Sequence, residues 1–102
     1  MSGFAEVLAA DRRLVILRTL SEAPGYQLNE MVLRTAVQAL GHTAGRDVIR
    51  GDVAWLQEQL LVRADEINVP TSGKLWVVHL TIAGGEVADG RSHPGVARRG
   101  PE

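Results

Sequence analysis

The apolar residues change their period at Leu61, and that switch constrains the fold more than any other feature of the chain. Before it, apolar side chains recur at helical intervals. After it, they come in short runs rich in β-branched residues, separated by turn formers. Such a pattern predicts helices first and paired strands second, an α+β arrangement. At 102 residues it makes one compact domain, and length alone excludes a (β/α)8 barrel.

Residues 3–22 carry Phe4, Val7, Leu8, Leu14, Val15, Ile16, Leu17 and Leu20. Their spacings of 4/7/8, 14/17 and 16/20 describe a helical face. Asp11 is a candidate cap for a second segment within this stretch, and Pro24-Gly25 stops the helix, or helix pair, near Ala23. Asn29 is an N-cap residue for a second helix lined by Leu28, Val32, Ala36, Val37 and Leu40, with Gly41 as its stop. A third helix is expected over about residues 45–59, with Ile49, Val53, Leu56 and Leu60 at intervals of four, three and four. The short Gly41–Gly45 connection makes the last two a helix-turn-helix. Strands are expected at 62–67 and 75–80, joined by a polar loop at 68–74 that projects from the hairpin. Thr81 caps a short final helix ending at Ala88, weakened by Gly84-Gly85. The domain is therefore expected to span residues 1–89, with a flexible tail at 90–102.

Composition narrows the chemistry. The 11 Lys and Arg against 12 Asp and Glu leave a net charge of −1, so no overall basicity points to nucleic acid or an anionic membrane. Without cysteine, disulfides, thiolate metal sites and a Cys nucleophile are excluded. No apolar run approaches the roughly 20 residues of a membrane span and no signal peptide is visible, so a cytoplasmic protein is expected.

The order helix, helix, helix, strand, loop, strand, helix is that of a winged helix-turn-helix domain. Three strings sharpen this. Asp11-Arg12-Arg13-Leu14-Val15-Ile16-Leu17-Arg18-Thr19-Leu20 resembles the opening helix of ArsR-like regulators, and Leu56-Gln57-Glu58-Gln59-Leu60-Leu61-Val62 resembles the recognition-helix exit of ArsR-like and MarR-like proteins. Those families carry glycine where this chain has Leu60. Leu80-Thr81-Ile82-Ala83-Gly84-Gly85-Glu86-Val87-Ala88 resembles their step from wing strand to helix. The chain is also similar to small winged-helix proteins encoded among Mu-like prophage genes. Metal sensing does not carry over, because His42, His79 and His93 are widely spaced and no thiolate is present.

The resemblance places the third helix in a DNA major groove. Arg46 and Arg50, four apart, then share the face that meets guanine or phosphate. Thr43 is expected as an N-cap first and a phosphate contact second, with Ser72 and Lys74 at the wing tip as support. Against this, residues 43–76 hold four cations and five anions, whereas a phosphate-tracking surface should be basic. Arg46 and Arg50 read equally well as solvated side chains paired with Asp47 or Asp52. The tail holds Arg91, Arg98 and Arg99 against Glu102. Trp55 falls on the flank of its helix, where it packs partly against the hairpin or anchors a partner. Trp76 alternates with Val78 and Leu80 as strand core. Phe4, Val7 and Leu8 exceed what one small core needs and point to a second subunit.

No catalytic constellation, cofactor motif or metal ligand set is visible, and the chain reads as a non-enzyme. The leading expectation is a dimeric phage- or prophage-type regulator that binds double-stranded DNA through Thr43, Arg46, Arg50, Ser72 and Lys74. The alternative is a winged-helix interaction module in a phage assembly or packaging complex. A positive surface over Arg46, Arg50 and Lys74 favours the first, and a patchy or apolar one the second.

Overall fold

The computed structural model describes residues 3–71 and 73–98. Its elements are α1 (Phe4–Glu22), a 3-10 turn (Pro24–Tyr26), β1 (Gln27–Asn29), α2 (Glu30–Ala39), α3 (Arg46–Glu58), β2 (Val62–Val69), β3 (Gly73–Leu80) and α4 (Ile82–Ala88). The protein is thus α+β, four helices with one antiparallel sheet of strand order β1-β3-β2.

The first stretch folds as one helix of 19 residues and not as a pair. Asp11 lies inside it and caps nothing; its carboxylate meets His42 Nε2 at 2.6 Å, tying α1 to the end of α2. Asn29 caps α2 as its residue type predicts, its Oδ1 accepting from the amides of Met31 and Val32 at 2.9 and 3.0 Å. Thr81 does the same for α4, where Oγ1 accepts from the Gly84 amide at 3.0 Å.

The expected two-stranded hairpin is part of a three-stranded sheet. Residues 27–29 are too short to show a period and become a strand only because β3 offers a partner, with Leu28 opposite Val78. The β2–β3 ladder runs from Val62 opposite Leu80 to Val69 opposite Gly73, so the strands pair well into the expected loop. Lys74 therefore stands in β3 and not in a projecting loop. Ser72 lies outside the described residues.

Three helices end in the same hydrogen-bond pattern, a Schellman motif. At α2, the amides of Gly41 and His42 bond the carbonyls of Gln38 and Val37; at α4, those of Gly90 and Arg91 bond Val87 and Glu86. At α3 the amides of Leu60 and Leu61 bond Gln57 and Leu56, both at 3.0 Å. The motif needs a left-handed residue just past the helix. Gly41 and Gly90 supply it with φ of +96° and +124°, and Leu60 is forced into it at +63°.

The core gathers Ile16, Leu17 and Leu20 from α1, Leu33 and Val37 from α2, Ile49, Val53 and Leu56 from α3, and Val78 from β3, all fully buried. Each such side chain contributes roughly 1.5–3 kcal/mol by leaving water. Asp52 of α3 is buried beside them and accepts hydrogen bonds from the Arg12 guanidinium, with Arg13 Nε 3.5 Å away. This pairing answers the desolvation of the carboxylate and fixes α3 against α1.

Residues 93–97, placed by the sequence in a flexible tail, lie across α1 and α3. Val96 is buried, the Ala97 amide donates to Ala10 O at 3.0 Å, and Arg13 Nη1 donates to Gly95 O at 2.9 Å.

Candidate interaction surface around helix α3

β1 stops at Asn29 while β3 continues to Gly73, which leaves the β1-facing backbone groups of Trp76 and Lys74 without a strand partner. Glu30, the first residue of α2, supplies the substitute. Its Oε2 accepts from the Trp76 amide at 2.7 Å, as a further rung of strand would. The side chain is buried, and its charge is met from α3: Arg50 donates from Nε to Oε1 at 2.8 Å and from Nη2 to Oε2 at 2.7 Å, and Arg46 Nε lies 3.3 Å from Oε1. The orphaned Lys74 carbonyl accepts from Arg46 Nη2 at 2.7 Å and from Arg50 Nη2 at 3.3 Å. The Arg50 guanidinium also lies 4.6 Å from the Trp76 ring centroid.

These contacts set the protonation of the cluster. Burial pushes the Glu30 carboxyl up, but the hydrogen bonds from Arg50 and the Trp76 amide and the charges of Arg50 and Arg46 outweigh it, holding the group below the ordinary carboxylate value. The hydrogen bond to Glu30 holds Arg50 protonated to higher pH than usual.

The arginine pair expected on one face is on one face, turned toward the protein's own carboxylate. The Arg46 side chain is 50% exposed and that of Arg50 26%. Thr43 is exposed but is not the cap of α3; Gly45 holds that place, and no side chain caps the helix there. The Lys74 ammonium lies 3.6 Å from Glu66, so it is paired across the hairpin. Arg63 and His79 both reach Asp65, at 3.4 and 3.0 Å.

The buried stripe of α3 is Ile49, Asp52, Val53 and Leu56, so the helix turns Asp47, Gly51, Ala54 and Glu58 outward, with exposed Val48 on the flank. This outward row is small and neutral in the middle and acidic at both ends, and it carries no cation. Trp55 is half-buried and meets α1 and the C-terminal segment. The Arg13 guanidinium stacks over its ring at 4.1 Å, and His93 meets it edge-on at 5.8 Å between centroids. Trp76 is half-buried at the rim of the core. Phe4, Val7 and Leu8, at 76%, 63% and 36% exposure, take no part in the core.

Glu30 is the residue that sequence reasoning missed, and Asp52, read there as a partner for Arg46 or Arg50, pairs instead with Arg12. A carboxylate in the first turn of a helix is ordinary, so nothing local marks Glu30. Its importance comes from the premature end of β1, which only the assembled sheet reveals. Asp52 had a visible signal, since it is an acid on the stripe side of α3, next to Val53.

Among the described residues, no helix is long and apolar enough to cross a membrane. The three histidines lie apart, at Asp11, at Asp65 and at Trp55. No family model matches the chain. It is 41% identical over 66 residues to an uncharacterized protein of Haemophilus influenzae, covering 65% of this chain and 64% of that one. It is 41% identical over 97 residues to the uncharacterized protein gp26 of Escherichia phage Mu, covering 94% of this chain and 95% of the phage protein. On that near full-length identity, the chain belongs to the family of phage Mu gp26.

Proposed function

We propose that this protein is a winged helix-turn-helix domain that works by binding a partner protein on the outward face of α3, without chemistry of its own. The order α1-β1-α2-α3-β2-β3, with β1 completing the sheet beside the hairpin, supports the winged-helix reading. The observation that carries the choice of partner is the charge on α3. Its two arginines are engaged with Glu30 and the Lys74 carbonyl, Lys74 is engaged with Glu66, and the outward row Asp47, Gly51, Ala54 and Glu58 offers a phosphate backbone nothing to neutralise it. A small-residue centre lets a partner element approach closely, and the acidic ends suit basic residues flanking it. A photo-crosslinker in place of Ala54 is the test. The expected product is one protein adduct that Gly51→Arg abolishes; adducts with DNA alone would overturn the reading.

The alternative, DNA binding as a phage-type regulator, keeps one observation in its favour: Arg46 is half exposed at the start of α3, where a recognition helix meets the groove. On that reading Arg46→Ala weakens duplex binding by roughly 1–3 kcal/mol.

The two apolar turns at the start of α1 are the place for a second copy of the chain. Phe4, Val7 and Leu8 recur at i, i+3 and i+4, form one stripe, and are left exposed by the described residues.

A further inference from the structure

β2 is an edge strand of eight residues, and its backbone says which of its groups are free. In β3 the even-numbered residues face β1, since the Trp76 amide points to Glu30 and Val78 pairs with Leu28. The odd-numbered residues of β3 therefore bond β2, through their partners Arg63, Asp65 and Ile67. That leaves the amides and carbonyls of Ala64, Glu66 and Asn68 pointing away from the sheet. The Ala64 amide confirms the parity: it donates to Gln57 Oε1 at 2.6 Å, a side-chain carbonyl standing where that of a neighbouring strand would be. Beside this edge lies an open hollow of about 280 Å³ lined by Gln57, Ala64, Asp65, Glu66 and Trp76. It sits against the last turn of α3, the negative end of the helix dipole, which has no basic residue.

We propose that the outer edge of β2 receives an extended segment of a partner protein as a fourth strand, with a lysine or arginine of that segment seated in the hollow against Trp76 and Glu66. Strand addition draws affinity from main-chain bonds and specificity from the pocket that takes every second side chain. Here the bonds are to Glu66 and Asn68, and the groups of the pocket already hold cations of the protein itself, Lys74 3.6 Å from Glu66 and Arg50 4.6 Å from the Trp76 ring, which the incoming side chain must share or displace. The edge is separate from the Asp47–Ala54 row of α3, so this proposal stands without that one.

The probe is a blocked octapeptide of alternating valine and lysine, titrated into the isotopically labelled protein and followed by amide and indole resonances. It should shift Glu66, Asn68 and the Trp76 indole, while the same peptide with glutamate for lysine, or with its edge-facing amides N-methylated, should bind at least tenfold more weakly. Glu66→Pro deletes an outward amide and no β2–β3 rung, which an edge strand accommodates, so it should cut affinity at least tenfold with the hairpin intact. If that variant misfolds, the N-methylated peptide decides alone. Equal binding by the glutamate or N-methylated peptide, no binding at all, or shifts confined to another surface would overturn the proposal. Gly51→Arg should leave this binding unchanged, which separates its failure from that of the α3 reading.

Discussion

Leu60 holds a left-handed backbone, φ +63°, with its side chain 74% exposed. An L-residue there costs roughly 1–2 kcal/mol, and the side chain gives little packing in return. Leu60→Gly should therefore raise stability by up to about 1 kcal/mol after the entropy of glycine is subtracted, measurable by urea denaturation. The resemblance to families with glycine at this position made the place legible; the strain became legible only with the backbone angle. Glu30 is the opposite case, a residue whose neighbours cannot be replaced one at a time. Glu30→Gln keeps the shape but leaves Arg50 and Arg46 without their counter-charge, and should cost about 2 kcal/mol or more. The pH dependence follows from the lowered carboxyl. Because its folded value lies below the unfolded one of about 4.3, its stabilisation is complete above that pH and is lost as pH falls through the folded value. Acid unfolding of Glu30→Gln should be correspondingly flatter than that of the wild type.

At the scale of elements, the long segments announced themselves and the short one did not. α1, α2, α3 and the hairpin follow from apolar period and from Asn29, Gly41 and Thr81 as caps and stops, whereas β1 has three residues and exists through its pairing with β3. The same limit hid the fate of residues 93–97, whose Pro, Gly and Arg content reads as a tail while Val96 is buried in the core. Two substitutions test the element contacts. Asn29→Ala removes both cap bonds of α2 and should cost about 1 kcal/mol. Gly84 is another matter, since a Cβ there would stand 2.0 Å from Leu61 O and 2.8 Å from Leu80 Cδ1. Gly84→Ala must push α4 off the α3–β2 junction and should cost more than the roughly 0.5–1 kcal/mol gained by replacing a helical glycine, giving a net loss by thermal or chemical denaturation.

For the whole molecule, the exposed stripe of Phe4, Val7 and Leu8 predicts self-association. Replacing Phe4 and Val7 with serine should convert a concentration-dependent sedimentation profile into that of a monomer, with the core untouched because neither residue belongs to it. The pairing of the molecule's charges is what the sequence could least reveal. Arg46, Arg50 and Lys74 were visible as candidates, yet their partners, Glu30 and Glu66, come from α2 and from the opposite strand of the hairpin. On this reading the third helix pairs its arginines with Glu30 and the Lys74 carbonyl and meets its partner with an uncharged, acid-ended face. Titration of the protein with mixed-sequence duplex DNA at low salt, with affinity followed as salt rises, tests this most directly. The account predicts no binding that shifts α3 resonances; duplex binding that weakens linearly in log salt and is lost in Arg46→Ala would contradict it.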